Sequence, residues 1–280
     1  MIEIYIPLLV GFILKLTKVF SNDDAKTLIN FVIYLSLPAL SFKTSSTIPL
    51  SAQSIKIAIC AWASISLCIL TSYAFAKLMH LEKSDERSFI AVSSFGNTAF
   101  LGFPLTISLF GEKALPYAVI YDSLGSFLMV STLGILLLSG KPNLKNVLLF
   151  PPFIGFALGL ILRPFELYPH LNYIAEFLIS PLMPTVLFAL GLSLELKPVS
   201  AKLLALALSI KMLLSPLYAI IIASALDLPP LALKVCVLES SMPTMLTASA
   251  LILKFGHNYQ LAISSSAVGI TLWLIILLLL

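Results

Sequence analysis

A single carboxylate, Glu239, sits inside the apolar stretch KVCVLESSMPTMLTASALILKFG (residues 234–256), directly before Ser240, Ser241, Met242, Pro243 and Thr244. A charged side chain at membrane depth is costly, so it must be paired, protonated or holding a cation. A carboxylate among hydroxyl and backbone oxygens suits Na+, with a proton as the alternative. A second apolar stretch, FIAVSSFGNTAFLGFPLTISLFG (residues 89–111), carries Gly96, Asn97, Thr98, Gly102 and Pro104. Glycine and proline interrupt helices, and a buried asparagine needs hydrogen-bond partners. The second half of an interrupted helix opens with unpaired N–H groups at the positive end of a dipole, which suits a carboxylate ligand. Gly96, Asn97 and Thr98 at one break, with Ser241, Met242, Pro243 and Thr244 at the other, are therefore the candidate substrate-binding residues. Glu239, Ser240 and Asn97 are the candidates for ion coupling, with Na+ placed at Glu239. The plainer reading is two kinked helices whose hydroxyls bond back to their own turns. Matched interruptions in two halves of a chain favour a transport site over that reading.

Asp122 and Lys211 are the other charges within apolar stretches, and they could pair with each other, with Glu239 or with a substrate. Lys15 and Lys56 lie near the ends of their stretches and are expected to reach to the membrane interface. Cys60, Cys68 and Cys236 read as small buried hydrophobes rather than disulfide or metal partners. His80, His170 and His257 lie in or beside polar joins at spacings that do not suit a metal. The chain has no phosphate-binding G-x-x-x-x-G-K-[ST] loop, no H-E-x-x-H, no G-x-S-x-G and no dinucleotide fingerprint, so neither ATP hydrolysis nor a cofactor is expected. An intramembrane enzyme using Asp122 and Glu239 as a carboxylate pair would leave the recurrence of the interruptions unexplained. The membrane subunit of an ATP-driven importer would need a coupling helix that these short joins do not provide.

The elements that carry these residues follow from composition. The 280-residue chain is 59% hydrophobic and 11% charged, which no soluble domain requires. A spanning helix needs about 20 apolar residues, and ten such stretches fall near 4–20, 25–43, 50–76, 88–110, 115–138, 147–163, 172–194, 201–225, 230–255 and 259–280. Helices are expected, because open strands cannot satisfy their backbone in lipid. Of the 17 Lys and Arg, eleven lie in joins after odd-numbered stretches, five in joins after even-numbered ones, and Lys211 lies within the eighth. Basic joins mark the cytoplasmic side, so both termini are expected outside the cytoplasmic membrane of a prokaryote. The net charge of +4 then reflects orientation rather than nucleic-acid binding. The opening Met1-Ile2-Glu3-Ile4 has no basic leader, so no cleaved signal peptide is expected.

The chain also repeats itself. Gly11 in PLLVGF is echoed by Gly155 in PFIGF, Pro38 in SLP by Pro184 in MP, and the ending LFG at Gly111 by KFG at Gly256, at offsets of 144 to 146 residues. An odd number of spans per copy makes the second copy insert upside down. The expectation is an all-α membrane protein of ten helices in two inverted five-helix repeats, residues 1–140 and 146–280, and inverted repeats typify secondary transporters.

The segments Gly96-Asn97-Thr98-Ala99-Phe100-Leu101-Gly102-Phe103-Pro104-Leu105 and Met242-Pro243-Thr244, with Ser36-Leu37-Pro38-Ala39-Leu40, Lys211 and Pro216, resemble the auxin efflux carrier family. That family falls within the wider group of the bile acid:sodium symporters, and the resemblance covers essentially the whole chain. It implies ten spans, with broken spans four and nine crossing at mid-membrane. It implies a scaffold of spans 1, 2, 6 and 7 beside a mobile transport domain of spans 3–5 and 8–10, elevator-type motion and a homodimer through the scaffold. Glu239-Ser240-Ser241-Met242 also resembles the acidic segment that supplies a sodium ligand in the bile acid:sodium symporters. The implied activity is secondary transport of a small organic anion, a mono- or dicarboxylate such as malate or malonate. Proton-coupled or potential-driven export is the alternative.

Overall fold

The computed structural model of the chain describes residues 2–47, 51–140, 148–149, 151–164 and 168–279. Among the described residues the fold is helical, without strands, and six helices are long and apolar enough to cross a membrane. The helices in chain order are α1 (Ile2–Leu16), α2 (Asp23–Ser46), α3 (Ala52–Leu78), α4 (Lys83–Ser94), α5 (Thr98–Phe110) and α6 (Glu112–Ser139). They continue with α7 (Pro151–Leu162), α8 (His170–Ser193), α9 (Ala201–Ala225), α10 (Pro230–Ser240), α11 (Leu246–Lys254) and α12 (Tyr259–Leu279). The six long ones, α2, α3, α6, α8, α9 and α12, match apolar stretches two, three, five, seven, eight and ten to within three residues. The first stretch is shorter than its apolar run. Lys18 turns left-handed at φ 60°, which ends α1 at Leu16 and leaves Thr17–Phe20 outside it. Residues 147 and 150 of the sixth stretch lie outside the described residues.

The helix boundaries follow local chemistry. Asp24 N–H donates to Ser21 Oγ, and Ser21 N–H donates back to the Asp24 carboxylate at 2.8 Å, a reciprocal cap at the start of α2. Ser200 Oγ accepts from Leu203 N–H at the start of α9. The echoed endings LFG and KFG are stop signals: Gly111 and Gly256 adopt φ of 80° and 72°, where a side chain would be strained. Three internal prolines share another device. Pro38, Pro104 and Pro216 each follow a π-helical turn, Val32–Ser36, Thr98–Gly102 and Ile210–Leu214, by two residues. A proline lacks the N–H of the regular ladder and crowds the carbonyl four residues back, and widening that turn accommodates it without breaking the span.

The chain forms two compact units. One, residues 1–51 and 145–194, holds α1, α2, α7 and α8. It is built on two close helix crossings, α1 with the second half of α8 and α7 with the second half of α2. Gly11 lies on the Phe188 carbonyl and Gly191 on the Leu8 carbonyl, while Gly155 lies on Pro38 and Gly159 on Phe42. A Cβ at any of these would strike backbone, and small residues at such contacts are what lets helices approach in lipid. Replacing Gly191 with Leu is expected to lower stability by about 1–3 kcal/mol, read as a drop in the thermal midpoint of the detergent-solubilised protein. Lys15 Nζ donates to the Leu194 carbonyl at 2.9 Å, capping the C-terminal end of α8. That end carries partial negative charge, and the ammonium satisfies it.

The other unit, residues 52–144 and 195–280, holds α3 to α6 and α9 to α12. Here α3 packs against α4, α6 and the second half of α9. Ala61 of α3 meets Gly125 of α6, and Trp62 donates to the Leu124 carbonyl at 2.8 Å. Cys60, Cys68 and Cys236 are buried free thiols, as small packing residues would be. The broken helices α4–α5 and α10–α11 meet within this unit.

Candidate functional site

The two interruptions meet through their backbones. Between α4 and α5, and between α10 and α11, the chain is extended, and Gly96 pairs with Thr244 in an isolated antiparallel bridge. Asn97 N–H donates to the Pro243 carbonyl at 2.7 Å and Met245 N–H to the Phe95 carbonyl at 3.0 Å. A spanning helix can be broken only if the freed polar groups find partners, and here each break supplies them to the other. Gly96 is required by crowding: a Cβ there would lie 2.7 Å from Lys211 Cε and 2.9 Å from the Met242 carbonyl.

The carbonyls at the end of α10 can be followed one by one. Ser240 O accepts from Lys211 Nζ at 2.7 Å, Ser241 O from Trp273 Nε1 at 3.0 Å, and Thr244 O from Ser266 Oγ at 3.1 Å. Thr244 Oγ1 donates to Val92 O at 3.0 Å, tying the second break to the end of α4. Lys211 thus caps a helix C-terminus, whose partial negative charge favours a cation, and it also reaches Ser215 Oγ at 3.4 Å. Ser240 and Ser241 donate their hydroxyl protons to Val237 O and Leu238 O of their own helix, at 2.8 and 2.6 Å.

Glu239 is fully buried. Its Oε1 accepts from Thr106 Oγ1 at 2.9 Å, and its Oε2 has no partner. That oxygen is pressed against Gly102, in space that any Cβ would fill. Asp122, buried in the π-helical turn Tyr121–Ser126, accepts from Thr98 Oγ1 at 2.5 Å. Among the described residues Asp122 and Lys211 form no ion pair with each other, and neither bridges Glu239. Of the pairings open to Asp122 and Lys211, the described residues thus show neither that with each other nor that with Glu239; the two charges are anchored separately, on Thr98 and on the α10 carbonyl end. Asn97 is buried, and its Nδ2 donor is unpartnered. The second halves, α5 and α11, start without a side-chain cap, at Asn97 and Met245.

Residues 1–147 match the family described as membrane transport protein. The chain belongs to that family. Two archaeal relatives agree. One, from Methanothermobacter thermautotrophicus, is 29% identical over 99% of this chain and 97% of its own length, and bears the name uncharacterized transporter. The other, an uncharacterized transporter of Methanocaldococcus jannaschii, is 35% identical over 69% of this chain and 68% of its own length. The protein is accordingly a multi-pass membrane transporter, and the auxin efflux carrier resemblance read from its motifs is the right family.

The transporter's candidate residues are gathered by the fold: Gly96, Asn97, Thr98, Glu239, Ser240, Ser241, Met242, Pro243 and Thr244 all lie at or beside the two breaks. Of these, Thr98, Ser241 and Thr244 have their hydroxyl protons engaged within the protein, which leaves the Asn97 amide as the free side-chain donor among them. Thr106, Ser266 and Trp273 escape notice in the sequence although each bonds directly to the breaks or to Glu239. A buried indole needs an acceptor for its N–H, which was the available signal for Trp273. Removing the ammonium in Lys211→Met is expected to cost about 1.5–3 kcal/mol, the range for a buried hydrogen bond to a charged group. A chemical-denaturation midpoint equal to wild type would show that the Ser240 cap is dispensable.

Proposed function

We propose that this chain is a secondary active transporter for a small organic anion bearing a carboxylate, coupled to one monovalent cation held at Glu239. The observation that carries this reading is the paired breaks, with an unengaged Asn97 donor at one and an unpartnered Glu239 oxygen beside the other. Donors at uncapped helix starts suit a carboxylate substrate. The buried charges among the described residues are Asp122, Glu239 and Lys211, two acids against one ammonium. In a dry interior that count calls for one further positive charge, and either H+ or Na+ supplies it. In carriers of this type the C-terminal ends of half-helices hold the coupling ion. Here Lys211 occupies the Ser240 carbonyl, which leaves Glu239 Oε2 as the position for the mobile charge. Na+ would find oxygen ligands of suitable type in the Glu239 carboxylate and Thr106.

The mechanism we infer is elevator-type alternating access. The division into a unit of α1, α2, α7 and α8 and a unit that holds both breaks supports assigning the first as scaffold and the second as the moving transport domain. The crossed pairing of α1 with α8 and α7 with α2, each across repeat boundaries, supports ten spans in two inverted repeats. A homodimer through the scaffold and both termini outside the cytoplasmic membrane complete the reading. Asn97→Ala tests the substrate half of it. Carboxylates screened for thermal stabilisation of the purified protein should yield a ligand whose affinity falls at least about tenfold in this variant, the worth of one buried hydrogen bond. A carboxylate bound equally by both proteins would remove Asn97 from the site.

A further inference from the structure

A groove of about 470 Å³ runs between α9 and α12, and its Trp273 wall borders the second break through the bond to Ser241 O. Its walls are apolar: Ala205, Leu208 and Met212 on one side, and Val268, Leu272 and Trp273 on the other. The volume is that of a small-molecule site, about 300–1,000 Å³, yet the lining supplies almost no polar recognition. Ser209 is its one hydroxyl, and the Trp273 N–H is already engaged by Ser241 O, so the indole presents only its ring. Both helices are of membrane-crossing length and apolarity. Leu213, Leu272 and Ile276 on the rim are 63%, 41% and 40% exposed, so the groove opens at an apolar surface of these two helices.

The end of the groove fixes what fills it. Ala201, the first residue of α9, lines it, and the next residue, Lys202, is exposed with no ion pair among the described residues. Lys202 also lies seven residues, two helical turns, before Ser209 of the lining, on the same face. An ammonium and the positive end of α9 therefore stand together at the groove's mouth. We propose that this groove is a binding site for an anionic phospholipid, with a hydrocarbon chain between α9 and α12 and the phosphate at Lys202. A chain seated there packs on the indole whose N–H holds the Ser241 carbonyl, so the lipid reaches the end of α10.

The test uses the full chain in liposomes, with Trp62→Phe leaving Trp273 as the single tryptophan. Phosphatidylglycerol or phosphatidylcholine with the same brominated chains is titrated into unlabelled phosphatidylcholine, and quenching of Trp273 is read. Brominated phosphatidylglycerol should quench at about fivefold lower mole fraction, the preference one lysine near a membrane surface provides. Lys202→Gln, an exposed and conservative change, should abolish the preference, and Ala205→Leu, which fills the groove, should reduce quenching by both lipids. Equal quenching by the two headgroups in the Lys202 protein would mean ordinary boundary lipid and would overturn the proposal. A preference that survives Lys202→Gln would overturn it too, even if Ala205→Leu failed to fold.

Discussion

Glu239→Gln is expected to abolish the effect of the coupling cation while leaving the fold in place. The amide has the shape of the carboxylate, and its Oε1 can still accept from Thr106. The variant changes the charge count: Asp122 and Lys211 then balance, and the site has no use for a further cation. With the cation at a hundred times its dissociation constant, binding to the folded state alone stabilises wild type by about 2.7 kcal/mol. For a chain of this size that is a rise of roughly 5–10 °C in thermal midpoint, and it should vanish in Glu239→Gln. A variant that kept the full rise, under Na+ titration at constant ionic strength or on acidification, would take Glu239 out of the coupling mechanism.

Gly102→Ala should weaken the cation without touching the carboxylate itself. Gly102 has ordinary helical geometry, φ −62° and ψ −45°, so its backbone accepts alanine. The new Cβ would collide with Glu239 Oε2 and lie 2.7 Å from Cδ, so the carboxylate must leave its place against Gly102. The expected result is at least a tenfold loss of cation affinity, about 1.4 kcal/mol, with a cation-free stability lowered by about 1–3 kcal/mol from overpacking. The titration separates the two effects, since the midpoint shift reads affinity and the starting midpoint reads packing. An unaltered affinity would mean that the cation does not sit on the face of Glu239 that Gly102 lines.

Much of the fold was legible because lipid makes the grammar strict. Apolar length places the six long helices, and Gly96 with Pro243 marks breaks that only a paired structure tolerates. The repeated Phe-Gly endings were legible as landmarks, and their cause, a left-handed glycine at each helix stop, follows from the same residue. The partners of the charges were not legible. Lys211 faces Ser240 O because a π-helical turn ahead of Pro216 sets its direction, and spacing alone does not show a widened turn. The carbonyl partner of Lys15 is equally hidden, because the sequence does not reveal that the end of α8 lies beside it. Thr106 reaches Glu239 over 133 positions of sequence, and nothing in a single chain pairs residues at that separation.

The proposed transport turns on whether one cation at Glu239 drives a carboxylate across the membrane. Reconstituted proteoliposomes loaded without Na+ at neutral pH, and given an inward Na+ gradient or an inward proton gradient, measure it directly with a panel of labelled mono- and dicarboxylates. One gradient should drive accumulation of at least one carboxylate, the matching ionophore should collapse it, and Glu239→Gln should lose it. Accumulation indifferent to both gradients, or equal in wild type and Glu239→Gln, would contradict coupling at Glu239.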